Sequence, residues 1–180
     1  MTETPEFSRP QDIASAFRKG QVQLVLEANA AERKAIAARL GLVELRALRA
    51  DLSLVPWQMD GLIVRGTLTA DLSQACVVTL EPVPSRLEEP LEARFLPGAA
   101  ASQLSQNETL SDPDEPDPPE SLPESGVIDL GELVIQHLAV VLDPYPRQPG
   151  VAFAPPEAEQ DPPAASPFAK LALLKRPPKG

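Results

Sequence analysis

The chain contains one cysteine and one histidine, the side chains that most often supply a nucleophile or a general base near neutral pH. Cys76 lies between apolar residues, and the sequence shows no histidine or cation beside it that would activate its thiol. His137 shares a helical face with leucines and valines, without a serine or acid at a spacing typical of catalysis. We interpret Cys76 as a packed, inert thiol and His137 as a core-lining residue whose ring nitrogens have local partners. An enzyme of unknown type that uses Cys76 or His137 remains the alternative.

Other catalytic patterns are missing from the sequence. It has no glycine-rich phosphate loop, no metal-spaced set of His, Cys and Asp residues, and no nucleophile elbow. A single cysteine also excludes a disulfide within the monomer and a four-cysteine zinc site. We therefore predict no catalytic residue, no metal site, no cofactor and no small-molecule substrate.

Five basic residues on the predicted first helix and the following strand could face RNA. They are Arg33, Lys34, Arg39, Arg46 and Arg49. The alternative is a solvated surface on which Glu32 and Glu44 pair with these cations. Only one aromatic ring, Trp57, lies nearby, so base stacking has little support, and we expect Trp57 to pack at the core edge or in the turn.

Two further segments could bind a partner. In DPYPR at 143–147 the alternating prolines impose an extended path, which would fix the directions of Asp143, Tyr145 and Arg147. The alternative is a helix stop followed by a wrap around the domain. The other segment is an amphipathic helix predicted at 166–176, after Ser166 as the N-cap, with an anchor face that comprises Phe168, Leu171 and Leu174. So short a helix is marginal alone, so it should dock either on its own domain or on a partner.

The elements that position these residues predict an α+β fold: an antiparallel meander, a helix after the first strand, and a buried helix packed across the sheet. Strands are expected at 21–27, at 42–55 with a bulge near Arg46–Ala47, from Leu62 onward, and at 86–96. A hairpin turn at Asp60-Gly61 is expected to join the second and third strands. The first helix starts at a capping box formed by Asn29 and Glu32 and ends at Gly41. The second helix starts at a capping box formed by Asp129 and Glu132.

Composition divides the 180 residues, which include 22 prolines and carry a net charge of −10. We expect a single domain at 1–147, with a disordered loop at 97–126 that holds seven acids and no base, and a Pro-rich linker at 148–165. The acidic balance argues against broad affinity for nucleic acid or anionic membranes. No apolar run approaches a membrane span, and the N-terminus lacks the pattern of a signal peptide, so we expect a cytoplasmic protein.

Four motifs, in this order, give the chain its resemblance to a known family. They are CVVTLEPV at 76–83, IDLGELV at 128–134, DPYPR at 143–147 and SPFAKLALLK at 166–175. Together they resemble the bacterial YceD family, named for accumulation of the large ribosomal subunit's RNA. Many relatives carry a Cys-x-x-Cys turn where this chain has Cys76 and Thr79, so we do not transfer a metal site.

The resemblance implies a non-enzymatic factor that supports accumulation of large-subunit ribosomal RNA and ribosome assembly. Its implied partner is that RNA or a ribosomal protein. We expect a basic ribosomal protein to suit the acidic loop at 97–126 better than RNA does.

Overall fold

The computed structural model describes residues 5–57, 60–98 and 118–152. The strands are β1 (Pro10–Asp12), β2 (Val22–Glu27), β3 (Glu44–Trp57), β4 (Gly61–Ala75), β5 (Pro82–Leu96), β6 (Glu120–Ser121) and β7 (Val127–Asp129). The helices are α1 (Ile13–Lys19), α2 (Ala30–Leu40) and α3 (Leu130–Val141). No helix within these ranges is long and apolar enough to cross a membrane.

A five-stranded sheet with the order β2-β3-β4-β5-β6 forms the centre of the protein. Its first four strands are antiparallel neighbours in sequence order, and β6 pairs with the end of β5 in parallel. The short strands β1 and β7 form a separate antiparallel pair. The predicted α+β class and the antiparallel meander are therefore confirmed.

The long strands follow the sequence pattern closely. The register between β3 and β4 shifts between Leu45 and Ala47, where we predicted a bulge from the switch of apolar parity. At the predicted hairpin, Asp60 has a φ of 58°, the left-handed conformation that such turns require. Strand β5 begins at Pro82, four residues earlier than predicted.

One face of the sheet, which we call the inner face, belongs to the hydrophobic core. Leu48, Leu52, Leu68 and Leu72 alternate along β3 and β4 into this core. The apolar side of α3 joins the same cluster, with Leu130, Val134, Ile135 and Leu138 inaccessible to solvent. The expectation that this helix is buried is confirmed, and its course across the sheet stays a prediction.

The N-terminal segment contributes structure that the sequence did not predict. Phe7 is 1% exposed and lies in the core cluster, although it stands alone in a polar stretch. Strand β1 and helix α1 follow it, with Asp12 accepting a hydrogen bond from the Ala14 N–H as the cap of α1.

Asp129 joins this N-terminal segment to α3. Its carboxylate accepts hydrogen bonds from Ser8 Oγ at 2.6 Å and the Arg9 N–H at 2.8 Å, and it also caps α3 through the Gly131 and Glu132 N–H groups. The predicted cap is confirmed. The predicted capping box is wrong, because the Glu132 side chain pairs with Arg39 instead of turning back to the cap. At Asn29 and Glu32, by contrast, both bonds of the box are present.

The acidic stretch predicted to be disordered at 97–126 has defined structure at its C-terminal end. Strand β6 pairs with Phe95 and Leu96, the Leu122 N–H donates to the Leu96 carbonyl, and Leu122 packs against the core. The expectation is therefore wrong for the last residues of the stretch, because one leucine and a short strand suffice to attach them to the sheet. Residues 99–117 lie outside the described ranges.

Candidate functional site

Two motifs from the sequence meet in the structure: the turn at 76–81, which we call the Cys76 turn, and the segment at 143–148. The turn follows β4 and is closed by hydrogen bonds from the Cys76 N–H to the Glu81 carbonyl and from the Leu80 N–H to the Cys76 carbonyl. These bonds fix the short chain between the two longest strands of the sheet.

The 143–148 segment is attached to this turn through its backbone. The Val77 N–H donates to the Pro146 carbonyl at 2.9 Å. The Gln74 side chain donates to the Asp143 carbonyl at 2.8 Å, and the Asp143 carboxylate accepts from the Tyr145 N–H. The 143–148 segment is thus bonded to the end of the sheet at Val77 and Gln74, and it bends at Pro144 and Tyr145 instead of following the continuously extended path predicted from the prolines.

The thiol of Cys76 lies where these two segments meet. It has no solvent-accessible area. Hydrogen bonds from the Thr79 hydroxyl and from the backbone N–H groups of Gln148, Thr79 and Val78 lower the pKa of Cys76 to about 6, against the opposing effect of burial. Burial of the thiol was expected; its polar surroundings were not, since the flanking residues in the sequence are apolar. Thr79, which stands where the family resemblance implies a second cysteine, contributes most to this lowered pKa.

Three large apolar side chains on these segments are exposed. Val77 is 47%, Leu80 78% and Tyr145 71% exposed. Arg147 is exposed as well and makes no ion pair or side-chain hydrogen bond with any described residue. We call Val77, Leu80, Tyr145 and Arg147 the turn face. Sequence reasoning missed Val77 and Leu80, although two apolar residues inside a tight turn were a signal.

Leu80 combines its exposure with an unusual backbone conformation. Its φ is +61°, a left-handed conformation that costs a non-glycine residue about 1–2 kcal/mol. Asn or Gly would adopt it more easily. The chain therefore places an apolar side chain in solvent at a position where folding alone would favour a different residue.

The five basic residues predicted to face RNA do not form one free cationic surface. Arg39 bridges Glu132 and Glu6, which raises its pKa, chiefly through the bonds to Glu132. Arg46 pairs with Asp71 and Glu44, and Arg49 with Asp51 and Glu27. Three of the five are thus each paired with two carboxylates. This arrangement resembles the alternative weighed from the sequence, a solvated surface on which acidic residues pair with these cations.

Arg33 and Lys34 are arranged differently. Together with Val43, Glu44 and neighbouring alanines they line a cleft of about 210 Å³ between α2 and the start of β3. Arg33 donates to the Ala28 carbonyl at 2.7 Å, whereas Lys34 makes no polar contact with a described residue. A cleft lined by two cations and one carboxylate carries too little positive charge to indicate a nucleic-acid site.

The remaining sequence candidates give no catalytic constellation. His137 is half-buried, and its Nε2 atom is buried without a hydrogen-bond partner among the described residues, in contrast to the expectation of local partners for both ring nitrogens. The described residues contain no group of three or more His, Cys, Asp and Glu side chains that could hold a metal ion. Trp57 is half-buried with Arg94 over its ring at 5.8 Å, in line with packing at the hairpin. Phe168, Leu171 and Leu174 lie outside the described residues.

The fold and this site define a small α+β protein with an exposed, mainly apolar turn face at one end of its sheet. The family model described as "Large ribosomal RNA subunit accumulation protein YceD" matches residues 64–175. The matched range contains the Cys76 turn, the 143–148 segment and Asp129. This chain belongs to the YceD family. No curated protein and no solved structure matches the chain.

Proposed function

We propose that the protein supports accumulation of large-subunit ribosomal RNA by binding a component of the assembling ribosome, with the turn face as its contact surface. The family supports a role in the accumulation of this RNA. The observation that carries the choice of surface is Leu80, which is exposed and held in a left-handed conformation. Strain of this kind persists where it serves a function, and large exposed apolar side chains are typical of contact sites.

A basic ribosomal protein is the partner that these observations favour over RNA. The turn face is mainly apolar, and such surfaces bind protein pockets rather than phosphates. The chain carries a net charge of −10, which attracts a basic protein and repels RNA. The binding would take place in the bacterial cytoplasm, where ribosomes assemble.

The substitution Leu80→Asn separates binding from folding. Asn tolerates a positive φ, so we expect the variant to be as stable as the parent or more stable by about 1 kcal/mol. In cells that depend on this protein, it should nevertheless reduce large-subunit RNA relative to small-subunit RNA, because the apolar contact is lost. The matched control is Val140→Asn on α3, where an 81% exposed valine lies outside the turn face. Normal RNA levels with Leu80→Asn would refute the assignment of the site.

Capture experiments with the same pair of variants identify the partner. We expect tagged parent protein to retain ribosomal proteins after ribonuclease treatment, and Leu80→Asn to lose them while Val140→Asn keeps them. If ribonuclease removed every partner of the parent protein, the turn face would contact RNA instead.

An enzyme that uses Cys76 or His137 is the second candidate, favoured by the lowered pKa of the Cys76 thiol. A nucleophile must reach its substrate, however, and this sulfur has no exposed area. Cys76→Ser and His137→Gln distinguish the two candidates. A binding protein should retain RNA accumulation with either change, and an enzyme should lose it with one of them.

A further inference from the structure

The two edges of the main sheet differ in how they meet solvent. On the β5 side, Pro82, Pro84 and Pro90 occupy even positions. Leu96 shares this parity, and its carbonyl points away from β4, because it accepts a hydrogen bond from the Leu122 N–H at 2.7 Å. The three prolines therefore remove N–H donors that would face outward. Prolines of this kind are a common way to protect an edge strand from pairing.

The opposite edge, β2, has no such protection. The Ala28 N–H donates to the Leu48 carbonyl at 3.1 Å, which places the even residues of this strand in the hydrogen-bonded pairs with β3. The Glu27 carbonyl points outward, since it accepts from the Arg9 side chain at 3.3 Å. By the same parity, Gln23 and Val25 direct their N–H and C=O groups away from the sheet. No described residue outside the β2–β3 pair hydrogen-bonds to either backbone.

Apolar surface lies on both sides of this open edge. On the outer face, Val25 is 56% exposed beside a groove of about 440 Å³ that Ser53 and Arg65 also line. On the inner face, Val22 and Leu24 are only partly buried at the margin of the core. A strand added next to β2 would cover these side chains while pairing with the free backbone groups.

We infer that β2 binds an extended segment of a protein partner by strand addition, and that apolar and basic residues alternate in this segment. The apolar residues would cover Val22 and Leu24, and the basic residues suit the net charge of −10. A second copy of this chain is the less suitable occupant. Two strands of six residues bury far less than the roughly 1,200–2,000 Å² of a stable dimer. The β2 edge and the turn face share no residues. This inference can therefore be tested independently of the proposed function.

Hydrogen exchange of the full chain with a synthetic peptide tests the inference. The probe is a capped heptapeptide in which lysine and valine alternate. In the free protein, the Gln23 and Val25 amides should exchange fast and those of Leu24 and Leu26 slowly. The peptide should slow exchange of the first two at least tenfold. The same peptide N-methylated at every residue has no free N–H donor on either edge and should give no protection.

Val25→Pro is the matched change in the protein. It removes an outward N–H that the fold does not use, so the melting temperature should stay within a few degrees of the parent while peptide affinity falls at least tenfold. Val25→Thr keeps the N–H and should bind within about threefold of the parent. Equal binding of the N-methylated peptide would overturn strand addition, and equal binding of a glutamate–valine peptide would overturn the basic preference. Protection of Gln23 and Val25 that rises with protein concentration alone would assign the edge to a second copy instead.

Discussion

At the start of α3, the backbone at Phe7 passes very close to Gly131, which makes Gly131→Ala an informative substitution. A Cβ atom at this position would lie 2.0 Å from the Phe7 carbonyl oxygen and 3.1 Å from the Arg9 nitrogen. Both neighbours are main-chain atoms, so no side-chain rotation can relieve the overlap. The N-terminal segment must move away from the helix, although the Leu130 N–H donates to the Arg9 carbonyl and Phe7 is buried in the core.

The expected cost follows from three contributions. Replacing Gly by Ala in a helix favours folding by about 1 kcal/mol. Full loss of the Phe7 side chain from the core would cost about 3–5 kcal/mol, and each main-chain hydrogen bond that breaks about 1 kcal/mol more. Partial displacement should leave a net destabilisation of roughly 2–4 kcal/mol. Urea unfolding of the full chain measures this value.

A double-mutant cycle with Phe7→Ala identifies the mechanism. If Gly131→Ala acts by displacing Phe7, the double variant should cost about 2 kcal/mol less than the sum of the single changes. Ala139→Gly on the exposed side of the same helix is the matched control for helix propensity, with an expected cost of about 1 kcal/mol. If Gly131→Ala were as stable as the parent protein, the N-terminal segment would not be packed against α3, and the reasoning would be refuted.

Two further predictions concern ionisable groups. Because hydrogen bonds lower the folded-state pKa of Cys76 to about 6 from an ordinary value of 9.0, its thiolate stabilises the fold fully above the ordinary value, and this contribution disappears as the pH falls through 6. The stability difference between the parent and Cys76→Ser should therefore widen from pH 6 to pH 9, and a constant difference would contradict the hydrogen-bonded thiolate. Burial raises the pKa of Asp129, but the hydrogen bonds from Arg9, Ser8, Glu132 and Gly131 outweigh it, so the net pKa is lowered. Asp129→Asn should cost about 1–2 kcal/mol of stability at neutral pH. In urea titrations, the difference in stability between the parent and this variant should decrease as the pH falls below the ordinary value of 3.8. A difference that persists in acid would show that the charge of Asp129 is not what stabilises this position.

Sequence patterns predicted the regular part of the fold because local rules determine it. The alternation along β3 and β4, the change of parity at Leu45–Ala47 and the capping box at Asn29 all depend on residues close in sequence. The N-terminal segment could not be predicted in this way. Phe7 is held by α3 and by Asp129, which lie more than 120 residues away, and no periodicity surrounds it.

The candidate site was predictable only in part for the same reason. DPYPR and the residues after β4 each stood out in the sequence, but their meeting depends on hydrogen bonds such as that from Val77 to Pro146. The environment of the Cys76 thiol depends on the backbone N–H of Gln148, which no side-chain pattern reveals. Ion pairing of Arg46 with Asp71 likewise follows from the β3–β4 register rather than from residue spacing.

The motifs of the YceD family therefore serve different physical purposes in this chain. IDLGELV at 128–134 supplies buried residues, the Asp129 carboxylate and the space at Gly131, all of which hold the N-terminal segment against α3. CVVTLEPV and DPYPR instead meet around one thiol and leave Val77, Leu80 and Tyr145 in solvent. Substitutions in the first motif should abolish function only as far as they unfold the protein. Substitutions of exposed residues in the other two should abolish it while stability is retained, so measuring stability and RNA accumulation together separates the architecture from the binding surface.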